Sequence, residues 1–229
     1  MDLFIKKLLK NELFNGFTLQ ELKIILEPDS CIIGRYKKNS VIMQQYDKCN
    51  SIGFIIEGEL SIEQLSLSSD TIKIRTFKSG DCFGEALLFS PKPFYPYTLI
   101  TLTDTVILYI PFSQVESMLK KSFAFNTNYI SSLSKRILMF TNKIQILSQK
   151  SVRKKLILYF SKESMRAGSL TFKLRHSKTA IAELIGVARP SVSREIKQMS
   201  SDQLLVVKRD IIIILKPQSF KIHLNNDTV

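Results

Sequence analysis

Apolar and polar positions along this chain follow two different rhythms. Over roughly the first 110 residues, short runs rich in Val, Ile, Thr and aromatics recur at 41–43, 51–56, 60–64, 72–77, 98–102 and 106–110. Turn-forming residues separate them: Lys38-Asn39-Ser40, Gly58, Ser68-Ser69-Asp70, Ser79-Gly80-Asp81 and Thr103-Asp104. Many short strands bounded in this way predict an all-β barrel or sandwich. Apolar positions at 3–9 and 19–26 predict two leading helices packed on its outside.

The rhythm changes after Pro111. From 113 to about 147 there is neither glycine nor proline, and apolar residues fall at Ile130, Leu133, Ile137, Phe140, Ile144 and Leu147. The spacing alternates three and four, the seam of a coiled coil, with Lys135, Arg136 and Lys143 beside it. A helix that only covers its own domain usually has a wider apolar stripe. The pattern therefore predicts a dimerisation helix, parallel in a two-fold pair. Leu138, Met139 and Ile146 are left to face the β domain. Serine stands where the seam would next need an apolar residue, at 151. The stretch 148–151 is then a hinge and domain boundary, with Ser151 capping a new helix over 152–165.

The remaining third carries a denser signal. Ala167-Gly168-Ser169 reads as a turn, 170–174 as a short strand and Ser177 as another helix cap. Residues 178–199 then read KTAIAELIGVARPSVSREIKQM. Ile181, Ala182, Ile185, Gly186, Val187 and Val192 fit a helix-turn-helix position by position. The alanine is small where two helices cross, the glycine takes a positive-φ turn, and the aliphatics fill the space between. A second helix starts at Pro190, whose missing N–H has no partner in a first helical turn anyway. The runs 204–208 and 211–215 flank Arg209-Asp210 as a two-strand wing.

Charge sharpens this picture. The formal net charge of +13 is concentrated: residues 150–229 hold 16 Lys/Arg against 6 Asp/Glu, whereas 1–149 hold 17 against 14. A basic module joined to a nearly balanced one is the footprint of nucleic-acid binding, though a solvated basic face or an anionic membrane patch would look alike by charge alone. The residues at the start of a recognition helix meet base edges in the major groove. Candidate DNA contacts are thus Arg189, Pro190, Ser191, Ser193, Arg194 and Lys197, with Lys178 and Thr179 on the preceding helix and Arg209 at the wing tip. Arginine can fork onto guanine, while serine and lysine suit phosphates. The bland alternative for Arg194 is a salt bridge to Asp202 or Glu195.

Other classes are excluded by what is missing. Hydrophobic residues at 45% and charged residues at 23% describe an ordinary globular protein. The longest aliphatic run, 211–215, is far short of a membrane span, and MDLFIKKLLKNEL scatters lysines through its apolar residues, unlike a signal peptide. Cys31, Cys49 and Cys82 are an odd, widely spaced set, which argues against disulfides, a metal site or an iron–sulfur cluster and for a reducing cytoplasm. No nucleophile elbow, P-loop or metalloprotease motif is present, so no catalytic residue is assigned.

At this point the chain resembles the Crp–Fnr family of bacterial transcription regulators. The carrying stretches are GDCFGEALLF at 80–89, PYTLITLTDTVILYI at 96–110 and RPSVSRE at 189–195. The resemblance implies an α+β fold: a β-roll of the double-stranded β-helix, jelly-roll-like type over 1–112, a helical segment with the dimerisation helix over 113–148, and a winged helix-turn-helix over 149–229. It implies a cytoplasmic homodimer on pseudo-palindromic double-stranded DNA, half-sites roughly 34 Å apart, with RNA polymerase as a further partner and no membrane contact.

The signal is the open part of that resemblance. In family members that bind cyclic AMP, a Gly-Glu pair contacts the ribose and a later Arg-Ser pair holds the cyclic phosphate. Gly84-Glu85 match the first pair, but Tyr95-Pro96, within SPKPFYPYT at 90–98, stand where the second would align. Proline donates no N–H and the nearest cation is Lys92, so cyclic AMP is not expected. Glu85 is then a structural carboxylate, capping or bridging the roll. Haem is not expected either, since the two histidines, His176 and His223, both lie in the DNA-binding part. A pocket for a different ligand would be lined by Gly84, Glu85, Tyr95, Tyr97, Phe140 and Thr141, although such walls also describe a plain core. The alternative function is a cyclic-nucleotide or other small-ligand module whose basic C-terminal domain serves another partner.

Overall fold

The computed structural model describes residues 2–65 and 71–220. The turn expected at Ser68-Ser69-Asp70 and His223 lie outside the described residues. Two compact units divide the chain, Met1–Lys135 and Arg136–Val229.

The first unit opens with α1 (Asp2–Leu8) and α2 (Leu19–Ile25), then eight strands: β1 (Ile32–Tyr36), β2 (Val41–Met43), β3 (Ser51–Glu57), β4 (Glu59–Leu65), β5 (Thr71–Lys78), β6 (Cys82–Phe83), β7 (Thr98–Thr101) and β8 (Thr105–Pro111). They form two four-stranded antiparallel sheets, ordered β1-β8-β3-β6 and β2-β7-β4-β5. The expected strands are present. β1 and β6 are additional, and both are hard to see in the sequence: β1 is interrupted by Gly34 and β6 is two residues long. The glycines have steric reasons. A Cβ on Gly34 would lie 2.5 Å from Tyr36 Cε2, and one on Gly53 would run into the Phe83 ring.

The core fills the space between the sheets and reaches the leading helices. Ile5, Leu8, Leu13, Phe14, Leu22 and Leu26 are buried in one cluster with Ile52, Phe54, Leu60, Leu99 and Ile107. The Phe14 ring centroid is 5.5 Å from both Phe54 and Phe125, which joins N-terminal helix, sheet and the later helical segment. Burying each such side chain contributes about 1.5–3 kcal/mol.

The helical segment expected over 113–148 consists of two helices, α3 (Phe112–Lys121) and α4 (Phe123–Leu147). Ser122 leaves the helical region at φ −130°, ψ 109°, and its hydroxyl accepts the Phe125 N–H at 3.2 Å. A serine in the cap role thus ends one helix and begins the next without glycine or proline. A correction concerns which side of α4 meets the β domain. Phe125, Tyr129 and Ser132 are buried there, with Leu133 partly buried, while Leu138 and Met139 are exposed and Ile146 is buried in the core of the second unit. Only the first part of α4 lies on the β sheets, because the compact units divide between Lys135 and Arg136 within this helix.

The second unit contains the end of α4, then α5 (Val152–Ala167), β9 (Thr171–Lys173), α6 (Lys178–Ile185), α7 (Arg189–Ser201), β10 (Leu205–Lys208) and β11 (Ile211–Ile214). Ser151 caps α5 by accepting the Lys154 N–H, and Gly168 ends it at φ 60° in the left-handed region. The strands pair antiparallel in the order β10-β11-β9. Leu156, Phe160, Phe172, Ile181, Val192, Ile196, Leu205 and Ile212 form the core. Lys162 on α5 donates to Asn142 Oδ1 at 2.7 Å and Gln145 Oε1 at 2.8 Å, which ties α5 to the last turns of α4.

Candidate nucleic-acid interface

Local sequence dictates the geometry of α6 and α7. Ser177 caps α6 by accepting the Ala180 N–H at 3.2 Å. Gly186 ends α6 at φ 65°, ψ 52°, a conformation that costs other residues roughly 1–2 kcal/mol, and the Val187 N–H returns to the Ala182 carbonyl at 3.0 Å. Ala182 is 4% exposed at the crossing, as its size requires. α7 begins at Arg189, one residue before Pro190, so the proline occupies the second helical position and its missing N–H leaves nothing unpaired.

Helical periodicity then sorts the side chains of α7. Val192, Ile196 and Met199 are buried, and the opposite face presents Pro190, Arg194 and Lys197 to solvent, while Arg189 is exposed as the first helical residue. Ser191 and Ser193 are half-buried at the edges of that face. Lys178 and Thr179 are exposed in the first turn of α6, and Lys178, Ser193, Ile196, Lys197, Ser200 and Val207 line an open cleft of about 340 Å³. Arg209 is exposed in the turn between β10 and β11 at φ 56°, beside the Lys173–Asp210 ion pair at 3.1 Å.

The alternative of Arg194 pairing with its neighbours is not what the side chains do. Both carboxylates are held by Arg153 on α5: Nε meets Glu195 Oε1 at 2.5 Å and Nη1 meets Asp202 Oδ2 at 2.7 Å. Gln198 donates to the other Asp202 oxygen at 2.9 Å, and this bond, with Arg153, holds that carboxyl below its ordinary value. The acidic groups of α7 are thereby engaged from the protein side while its cations face outward. Sequence reasoning does not find Arg153, since its partners lie 42 and more residues away.

The seam expected on α4 is laid out along one face. Ile130, Ile137, Phe140, Ile144 and Leu147 are 58%, 64%, 56%, 66% and 40% exposed, and Leu133 is half-buried against the first core. Phe123, 88% exposed, sits seven residues before Ile130 and so on the same heptad position. It is visible in the sequence as one more step of the same repeat.

Of the six candidate pocket residues, the first unit gathers four. Tyr95 is 1% exposed, its ring 6.4 Å from Phe83 and 6.1 Å from Tyr97. Main-chain bonds fix the loop that carries it: Tyr46 N–H to Tyr95 O at 2.7 Å and Tyr95 N–H to Asp47 O at 2.9 Å. A Cβ on Gly84, φ 88°, would stand 3.1 Å from the Tyr95 hydroxyl and from Cys49 Sγ. Glu85 is 2% exposed, and its main-chain carbonyl accepts the Tyr129 hydroxyl of α4 at 2.7 Å. Phe140 and Thr141 belong instead to the second unit and are exposed, the Thr141 hydroxyl donating to Ile137 O. His176 is half-buried, its Nδ1 3.0 Å from the Tyr159 hydroxyl. No described helix is long and apolar enough to cross a membrane, and no metal-binding cluster occurs among the described residues.

Comparison with known proteins matches these parts separately. Residues 33–122 fit the model of the cyclic nucleotide-binding domain, and residues 154–221 fit that of the Crp-like helix-turn-helix domain. The global nitrogen regulator of Nostoc sp. is 23% identical over 192 residues, covering 81% of this chain and 86% of that protein. The CRP-like protein Clp of Xanthomonas campestris is 22% identical over 189 residues, covering 79% and 82%. Among solved structures, the catabolite activator protein of Thermus thermophilus superposes with a TM-score of 0.55 at 17% identity, covering 92% of this chain and 97% of its own. The first of these relatives is named as a regulator.

Proposed function

Since the chain belongs to the Crp–Fnr family of transcription regulators, we propose that it acts as a homodimer on a pseudo-palindromic duplex site and does so without cyclic AMP. The observation that carries the DNA reading is the division of α7 into a buried apolar face and a solvent face bearing Arg194 and Lys197, with Arg189 exposed at its start. A helix presenting cations and hydroxyls from its first turns is suited to the major groove. The wing residue Arg209 and the cleft lysines Lys178 and Lys197 suit flanking phosphates. The exposed heptad face of α4 supports a partner of the same sequence, because two such faces would cover each other.

Independence from cyclic AMP is supported by the interior beside Gly84, where Tyr95 packs against Phe83 and Tyr97 next to the Cys49 thiol, none of them a cation. A cyclic phosphate taken into that interior would have to lose water without gaining a cation. Selection of bound duplexes from a random pool tests the whole reading. It should return two inverted half-sites about one helical turn, roughly 34 Å, apart. Recovery of unrelated sequences, or of single half-sites bound by a monomer, overturns it. Calorimetry with cyclic AMP and cyclic GMP should give no heat of binding.

A further inference from the structure

We propose that Arg153 is a positioning residue for DNA reading: it clamps α7 from behind and fixes the roll of the helix that carries Arg189 and Arg194. The proposal rests on the DNA reading above. Arg153 is the second residue of α5, two positions after its cap Ser151. Its guanidinium holds Glu195 in the middle of α7 and Asp202 at its C-terminal cap, seven residues further on. Two anchors about two turns apart on one side of a helix restrain both rotation about its axis and pivoting. A single anchor would leave one of these motions open.

The geometry of reading makes that restraint consequential. Side chains reach roughly 6 Å from a helix axis, so a roll of about 10° shifts their tips by about 1 Å. Bidentate contact to a base edge depends on two hydrogen bonds of fixed length and direction, and a shift of that size weakens both. Arginine suits the clamp because its planar fork reaches two acceptors at once, whereas lysine offers one point charge. On the same helix Lys155 donates to the Ile185 carbonyl at 3.0 Å, the exposed end of α6. The first turn of α5 thus grips both helices of the reading unit.

The test uses the full-length protein, its selected operator and a scrambled duplex, with affinities measured across a range of salt. Arg153→Met should lower the operator-to-scrambled affinity ratio about tenfold or more, with the salt dependence unchanged, because Arg153 touches no phosphate. Arg153→Lys should fall between. A triple variant, Arg153→Met with Glu195→Gln and Asp202→Asn, should remain impaired, since it has no bare carboxylates but also no clamp. In the free protein, amide exchange across α7 should quicken in Arg153→Met. A salt slope made shallower by about one for each protomer would place Arg153 on a phosphate and overturn the proposal. So would a triple variant restored to the wild-type ratio, or exchange in α7 unchanged. If Arg153→Met does not fold, Glu195→Gln with Asp202→Asn breaks the same bridges from the other side and should show the same loss. A wild-type protein that selects no sequence sinks the DNA reading alone, and the exchange measurement still judges the clamp.

Discussion

The tip of Leu147, the last seam residue of α4, lies over the turn glycine Gly186: a Cβ added there would stand 2.8 Å from Leu147 Cδ2. One side chain therefore belongs both to the proposed dimer face and to the elbow between α6 and α7.

Two costs meet in Gly186→Ala. The positive φ of 65° costs about 1–2 kcal/mol in an alanine. The steric part is smaller, because the obstructing atom ends a flexible side chain. Urea unfolding should show a loss of that order, and adding Leu147→Ala should not recover the backbone part. Full recovery in the double variant would mean that crowding, not backbone strain, dominates.

Charge placed in the seam should dissociate the dimer without unfolding the chain. Ile137 and Ile144 are 64% and 66% exposed in the single chain, so Ile137→Asp leaves its own core intact. Each isoleucine buried between copies contributes about 1.5–3 kcal/mol, and two-fold symmetry doubles it to about 3–6 kcal/mol. Sedimentation should show monomer at concentrations where the wild type is dimeric. Phe123→Asp, on the same heptad position, should act in the same direction.

The outward residues of α6 and α7 should separate into two behaviours. Arg189→Ala and Arg194→Ala should cost about 1–3 kcal/mol of discrimination against mutated operators. Lys178→Ala and Lys197→Ala should weaken all duplexes alike. Each removes one cation from a phosphate in either protomer, so the salt slope should become shallower by about two per dimer. Quantitative gel shifts across salt read both.

Inside the β-roll, Tyr95→Ala should destabilise by about 3–5 kcal/mol, as expected for losing a buried aromatic ring. Tyr95→Phe keeps the ring and loses only the hydroxyl beside Cys49, so its cost should be about 1 kcal/mol. Thermal unfolding compares the two. Equal costs would show that the hydroxyl, not the ring, matters.

The thiols should be sluggish. Burial pushes the Cys31 thiol up to about 11 and the Cys49 thiol upward as well, so neither is ionised at pH 8. A thiol reagent at pH 8 should react slowly with the native protein and promptly with all three cysteines after denaturation.

How far the sequence discloses this molecule depends on the range of the forces involved. The α6–turn–α7 unit is readable because Ala182, Gly186 and the flanking aliphatics act on near neighbours, as are the β-roll strands other than β1 and β6. The break at Ser122 is not, because a serine cap leaves no glycine or proline to betray it. Leu138 and Met139 are exposed and not covered, since periodicity records that a residue is apolar, not which surface covers it. Tyr95 is recognisable as a wall of a pocket, yet only packing against Phe83 and Tyr97 reveals it as filling. Arg153 stays hidden altogether, as nothing near it in sequence names its partners.

Lys162 holds the end of α4 through the neutral side-chain oxygens of Asn142 and Gln145. Ions in solution screen charge against charge at a distance far more than they disturb a short bond to an amide. Salt that strips the outward lysines from phosphate should therefore leave this strap fastened. Eluted from a DNA column by rising salt, the protein should come off with α4 and α5 still joined, ready to rebind on dilution.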